Sequence, residues 1–100
     1  MGRKTSHGEE ALHSAFTHPL RRDILKLCLE AEEPHSPKAL SRLVNHRLSN
    51  VSYHVRVLAE CGALEIVAER PVRGSTEHFY EATPLVKENS WIRIVLGLTS

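Results

Sequence analysis

The chain has little from which to build disulfides, a membrane span or a metal cage. Its one hundred residues include only two cysteines, Cys28 and Cys61, too few for a disulfide framework and suited to buried thiols in a reducing compartment. No apolar run approaches the ~20 residues needed to cross a bilayer. Met1 to Ser14 shows no signal-peptide pattern, so a cytoplasmic protein with no membrane partner is expected. The five glycines are scattered and form no phosphate-cradling loop, and no serine or cysteine sits in a glycine-flanked nucleophile motif. No catalytic residue can be named, and no enzyme is expected.

Metal ligands are also short. A tetrahedral site needs three or four convergent thiolates or imidazoles. His7, His13 and His18 are not at the spacing that aligns them on one helix face. His54 and Cys61 are two helical turns apart, about 10.5 Å along a helix axis. The helix from Pro37 to Val44 holds no cysteine pair, and the end of the chain holds no histidine. No metal and no other cofactor is expected.

Nor is there an excess of charge of one sign. Thirteen Lys and Arg stand against twelve Asp and Glu, a net charge of +1, so the sum says little about a partner and the distribution has to decide. Between Ser36 and Glu60 the charged residues are Lys38, Arg42, Arg47 and Arg56 against Glu60 alone. That basic stretch coincides with the most informative segment of the chain.

What is present fits one domain with one modest core, at 41% hydrophobic and 25% charged residues. Residues 1–7 read as a flexible basic arm. Glu9 to Phe16 reads as a short helix, broken at Thr17-His18-Pro19 because a residue before proline is pushed out of helical geometry. Pro19 opens a second helix in which Leu20, Ile24, Leu27 and Cys28 recur at helical spacing, widened by Leu25 and Leu29. Ser36-Pro37 is an N-cap followed by proline at the first helical position, and Leu40, Leu43 and Val44 give the third helix its apolar edge. Asn45 can take the left-handed conformation of a tight turn, and Leu48 is expected to plug that turn.

The fourth helix runs from Ser49 to Cys61, with Ser49 as N-cap and Gly62 as the left-handed stop. Val51, Val55 and Leu58 form one stripe, while Asn50, Ser52, Tyr53 and Arg56 form the opposite one. After Gly62 the period shortens to two, as Leu64, Ile66 and Ala68 alternate with Glu65 and Glu69, which marks a strand. Arg70 to Ser75 supplies turn chemistry, and Thr76 to Ala82 the returning strand. A last helix from Pro84 carries Leu85, Trp91, Ile92, Val95, Leu96 and Leu98. This apolar excess is expected to pair with a second copy, together with Leu12 and Phe16. The expected fold is mainly α with a small β-hairpin, in the order α-α-α-α-β-β-α. Residues 8–83 form the core domain and residues 84–100 its dimerisation helix.

Three separated blocks resemble the ArsR-type winged helix-turn-helix regulators. His18-Pro19-Leu20-Arg21-Arg22-Asp23-Ile24-Leu25 is similar to that family's helix opening, and Leu48 to Leu58 resembles its recognition helix. Val72-Arg73-Gly74-Ser75-Thr76-Glu77-His78-Phe79-Tyr80 resembles the wing of the subgroup that lacks a metal site. The likeness spans roughly His18 to Pro84. It departs at Asn45-His46-Arg47, where the family's turn usually carries glycine. The resemblance implies a homodimeric transcription regulator, usually a repressor, whose first and last helices build the dimer.

The residues then take expected roles: Asn50, Ser52, Tyr53 and Arg56 at DNA bases, and Lys38, Arg47, Ser49 and His54 at phosphates. Arg70 and Arg73 belong to a wing on the minor groove or its phosphates. Leu12, Phe16, Trp91, Ile92, Val95 and Leu96 form the dimer interface. The alternative is a winged helix turned to protein contact without DNA affinity, which the low net charge and the apolar last helix would suit.

Overall fold

A computed structural model describes residues 12–98, so the N-terminal arm and the start of the first expected helix lie outside the described residues. The chain opens with a 3₁₀ turn, His13–Phe16, followed by helices α1 (Pro19–Glu30), α2 (Pro37–Val44) and α3 (Leu48–Glu60). Strands β1 (Leu64–Val72) and β2 (Ser75–Ala82) come next. Two short helices, α4 (Pro84–Lys87) and α5 (Ser90–Val95), complete it. The arrangement is that of a winged helix-turn-helix: helices around one core and one antiparallel hairpin.

Local chemistry sets the element ends. His18 caps α1, its ring Nδ1 accepting the Leu20 amide at 3.1 Å, and Pro19 takes the first turn, where a missing N–H costs nothing. Ser36 caps α2 through its hydroxyl, which accepts the Ala39 amide at 3.1 Å. Asn45 ends α2 in the left-handed region, at φ 59° and ψ 50°. Glycine is not required there, because a short amide side chain tolerates that conformation. The His46 amide reaches back to the Ser41 carbonyl and the Ser41 hydroxyl donates to the His46 carbonyl at 2.9 Å, closing the turn between the two helices.

The end of α3 is a Schellman motif. Gly62, at φ 88°, lets its amide bond the Ala59 carbonyl while the Ala63 amide bonds that of Leu58 at 2.9 Å. Thr83, buried at the end of β2, donates its hydroxyl to the Gly62 carbonyl at 2.6 Å, and its amide meets the Ala63 carbonyl. The helix end, the base of the hairpin and the start of α4 are therefore stitched at one point.

The core gathers Leu20, Ile24, Leu25 and Cys28 of α1, Leu40 of α2, and Val51, Val55 and Leu58 of α3. From outside the helix-turn-helix come Leu12, Ala15, Leu64, Ala82, Val86, Ile92, Leu96 and Leu98.

Several expectations are corrected. The start of α3 is Leu48, with Arg47 in the cap position and no side-chain cap bond; Ser49 therefore sits inside the first turn. Leu48 and Leu43 face outward and plug nothing, Leu43 being 56% exposed, because Leu40 alone of the α2 leucines points at the core. The alternation of β1 does not map onto burial: only Leu64 is covered, and Ile66 and Val67 are wet. The cause is a register shift between Ile66 and Ala68 together with the hairpin's extension beyond the helices. The strands run on to Val72 and Ser75, shrinking the turn to Arg73-Gly74, with Gly74 at φ 68°. His35, in the connection between α1 and α2, pairs with Tyr80 through two backbone bonds of 3.0 and 2.8 Å. Finally, the single last helix is two. Asn89 breaks it and recaps α5, its side-chain oxygen accepting the Ile92 amide at 3.1 Å.

The two classes of leucine-like position should separate in urea denaturation. Ile24→Ala empties a fully buried site and should cost about 2–5 kcal/mol. Leu43→Ala should stay within about 0.5 kcal/mol of the parent.

Candidate nucleic-acid interface

The inner stripe of α3 is fixed by the core, and this fixes the outer one. With Val51, Val55 and Leu58 buried, Ser49, Asn50, Tyr53 and Arg56 are exposed and Ser52 is half-buried. These side chains offer an amide, hydroxyls, a phenol and a guanidinium on one surface, which are groups that pair with base edges. Tyr53 leans edge-on against the His54 ring, with centroids 5.1 Å apart, so it is braced from one side.

Between this helix and the hairpin lies an open groove of about 610 Å³, whose walls include Lys38, Arg42, Ser52, Arg70 and Thr76. Lys38 and Arg42 are one turn apart on α2 and reach the same concavity. Arg42 is a member the sequence reasoning left out of the site, although its spacing from Lys38 was the available signal. Arg47 is exposed at the start of α3, whose first turn no side chain caps. That end presents the positive end of the helix dipole outward.

The two wing arginines are not equivalent. Arg73 occupies the tip. Arg70 lies along the flank of β1, bonded to Glu77 Oε1 at 2.7 Å and stacked over the Phe79 ring at 5.5 Å. The hydrogen bond from Arg70 holds the Glu77 carboxyl below its ordinary range. Half of the positive charge expected from the wing is thus paired within the hairpin.

His54 also departs from its expected place at a phosphate. It is buried, and its Nδ1 accepts a hydrogen bond from Arg21 Nε at 3.0 Å. It belongs to the seam between α3 and the start of α1, where the His18 ring lies 4.4 Å from its own. Its position follows from the helical period, which puts it beside Val51, Val55 and Leu58 on the inner face.

The six residues expected at a dimer interface divide. Leu12, Ile92 and Leu96 are buried in this chain's own core. Trp91 is 62% exposed and Val95 44%, with Phe16 meeting Trp91 edge-to-face at a centroid distance of 6.0 Å. Ile94, 67% exposed, joins this edge and was missed, because the break at Asn89 resets the helical phase. A cleft of about 300 Å³ opens beside Phe16, Trp91 and Leu12.

The thiols are both interior. Burial pushes Cys28 up to about 12 and raises Cys61 as well, so neither presents a thiolate at neutral pH. Among the described residues no three His, Cys, Asp or Glu side chains are grouped to hold a metal ion; His7 lies outside them. No helix among those residues is long and apolar enough to cross a membrane.

Comparison with known proteins agrees with this geometry. A family model described as a helix-turn-helix domain matches residues 16–67, just over half of the chain. Among solved structures the chain is similar to HlyU from Vibrio cholerae N16961, with a TM-score of 0.67 and 22% identity, over 98% of this chain and 97% of that one. No curated protein matches the sequence. The match falls on α1, α2, α3 and the first residues of β1, the elements that build and aim the outer face of α3. The chain belongs to the helix-turn-helix domain family, in its ArsR-type winged form, the architecture of DNA-binding transcription regulators.

Proposed function

We propose that the protein is a homodimeric transcriptional repressor that lays α3 in the major groove of double-stranded DNA and its wing against the adjacent minor groove or its phosphates. The observation that carries this reading is the free outer face of α3. Asn50, Tyr53 and Arg56 stand exposed there beside a groove walled by Lys38 and Arg42. Arg56 is suited to a guanine and Asn50 to an adenine, each by a two-bonded contact, with Ser52 and Tyr53 completing the base-facing set. Lys38, Arg42, Arg47 and Ser49 serve phosphates, as does the uncapped start of α3. Arg73 leads the wing, and Arg70 reaches DNA only by exchanging Glu77 for a phosphate.

The dimer rests on the apolar edge of Phe16, Trp91, Ile94 and Val95, a connected hydrophobic surface that a single copy leaves wet. A twofold pairing there would carry two reading helices to successive major grooves, ~34 Å apart. Leu12, Ile92 and Leu96 support this edge from below. As a repressor, the protein acts by occupying its site, with no catalytic step.

Binding to duplexes from the region upstream of its own gene should be selective and should weaken as salt rises. Arg56→Ala should cost roughly 1–3 kcal/mol of affinity with an unchanged circular dichroism spectrum and melting temperature; unchanged affinity would sink the assignment of this face. Sedimentation equilibrium should report a dimer that Trp91→Glu combined with Ile94→Glu converts to a folded monomer. If the double variant remains dimeric, the edge is not the interface.

A further inference from the structure

The seam between the start of α1 and α3 holds side chains that the reading surface does not use. Arg21 lies at its centre. Its Nε donates to His54 Nδ1 at 3.0 Å, and its Nη1 donates to the Ser14 carbonyl at 2.8 Å and the Thr17 hydroxyl at 3.3 Å. One guanidinium thus ties the inner face of the recognition helix to the segment that leads into α1. Next to it, Arg22 Nη1 donates to the Phe16 carbonyl at 2.7 Å, holding the same segment from its other side.

The bond to His54 is conditional on protonation. An Arg Nε carries a single hydrogen and has no lone pair to offer, so His54 Nδ1 must be bare and the neutral ring must keep its proton on Nε2. A second proton would set donor against donor and place a positive ring 3.0 Å from a guanidinium. The titratable and charged groups facing this ring are His18 and Arg21 from the start of α1, His46 from the turn before α3, and Tyr53 on α3 itself. The charges they contribute are positive, and His18 already spends its own Nδ1 lone pair on the Leu20 amide. Burial first, then the charges of His18, Arg21 and His46, push the His54 ring below its ordinary value of 6.5.

We propose that Arg21 and His54 form a proton-sensitive clamp that positions the recognition helix, so that one proton taken up at His54 loosens α3 and weakens DNA binding. This rests on the DNA-binding reading above. The direction follows from linkage: the folded state binds this proton less readily than the unfolded chain. The stabilisation is therefore complete above the unfolded value near 6.5 and is lost as pH falls through that value towards the lower folded one. General electrostatics predicts the opposite. Acidification makes any protein more positive overall and should tighten its binding to a polyanion. A loss of affinity in mild acid therefore separates the clamp from a simple charge effect.

The test uses duplexes selected by the protein from a random pool at pH 7.5. Their affinity is then measured at pH 7.5 and 5.5 at constant ionic strength. The parent should weaken roughly three- to tenfold. His54→Asn, whose side-chain oxygen stands near the position of Nδ1 and accepts from Arg21 without titrating, should hold its affinity or gain. Tightening of the parent on acidification, or an equal loss in His54→Asn, overturns the clamp. A second arm needs neither DNA nor the variant. Amide exchange across Ser52 to Leu58 of the parent, corrected for intrinsic rates, is followed by NMR while the His54 ring titrates. Loss of protection that tracks the His54 titration supports the clamp even if no duplex is selected, an outcome that would defeat only the DNA reading. Protection that stays constant through that titration overturns the clamp.

Discussion

The inner face of α3 is pinned before its outer face can mean anything. Val51, Val55 and Leu58 are almost wholly buried in the same cluster as Ile24, Leu25 and Leu40, and close-packed interiors do not slide continuously. Because side chains on a helix recur every 3.6 residues, fixing those three also fixes Asn50, Tyr53 and Arg56 in azimuth. The cap chemistry then fixes the helix along its axis: Asn45 turns the chain out of α2, and the Schellman end at Gly62 returns it to the core. A reading surface needs side chains held to within fractions of an ångström, and here that order comes from apolar contacts on the opposite side of the helix.

Polar contacts refine what packing establishes. The buried His54 is the exception on an otherwise apolar face, and it is tolerated because Arg21 satisfies its Nδ1. Thr83 does similar work at the other end, where its hydroxyl answers the carbonyl of Gly62. Among the described residues no buried side-chain nitrogen or oxygen is left without a partner, so each polar group drawn into the interior comes with a geometric obligation on its neighbour.

Helices with a core face and a chemical stop were legible in the sequence. Pro19, Ser36-Pro37, Asn45 and Gly62 all mark real boundaries, since each acts through its own local conformation. Signals that depend on distant parts of the fold were not. Nothing in Glu65 to Val72 reveals that the hairpin outruns the helices, so its alternation suggested burial that tertiary structure does not supply. Asn89 interrupts a periodic apolar run by capping a new helix, a choice that becomes decisive only once Val86 and Ile92 have both found the core. For the candidate site, the outer face of α3 could be read from spacing alone, but the division of the two wing arginines could not. Arg70 is drawn to Glu77 across the hairpin, a pairing set by strand register. Arg42 shows the converse, a residue whose i, i+4 relation to Lys38 was visible and whose value appeared only when the hairpin closed the groove.

The slender hairpin has a consequence for how such a protein can change over generations. A two-stranded ribbon is marginal alone, and this one is anchored at its base by Leu64, Ala82 and the His35–Tyr80 pairing. Beyond that base none of its residues belongs to the buried core, so replacing them leaves the interior undisturbed. The inner stripe of α3 has no such freedom. Variation can therefore accumulate at the tip around Arg73 and along the outward side chains of α3 while the scaffold stays constant, letting descendants acquire new targets without first having to survive a weakened fold.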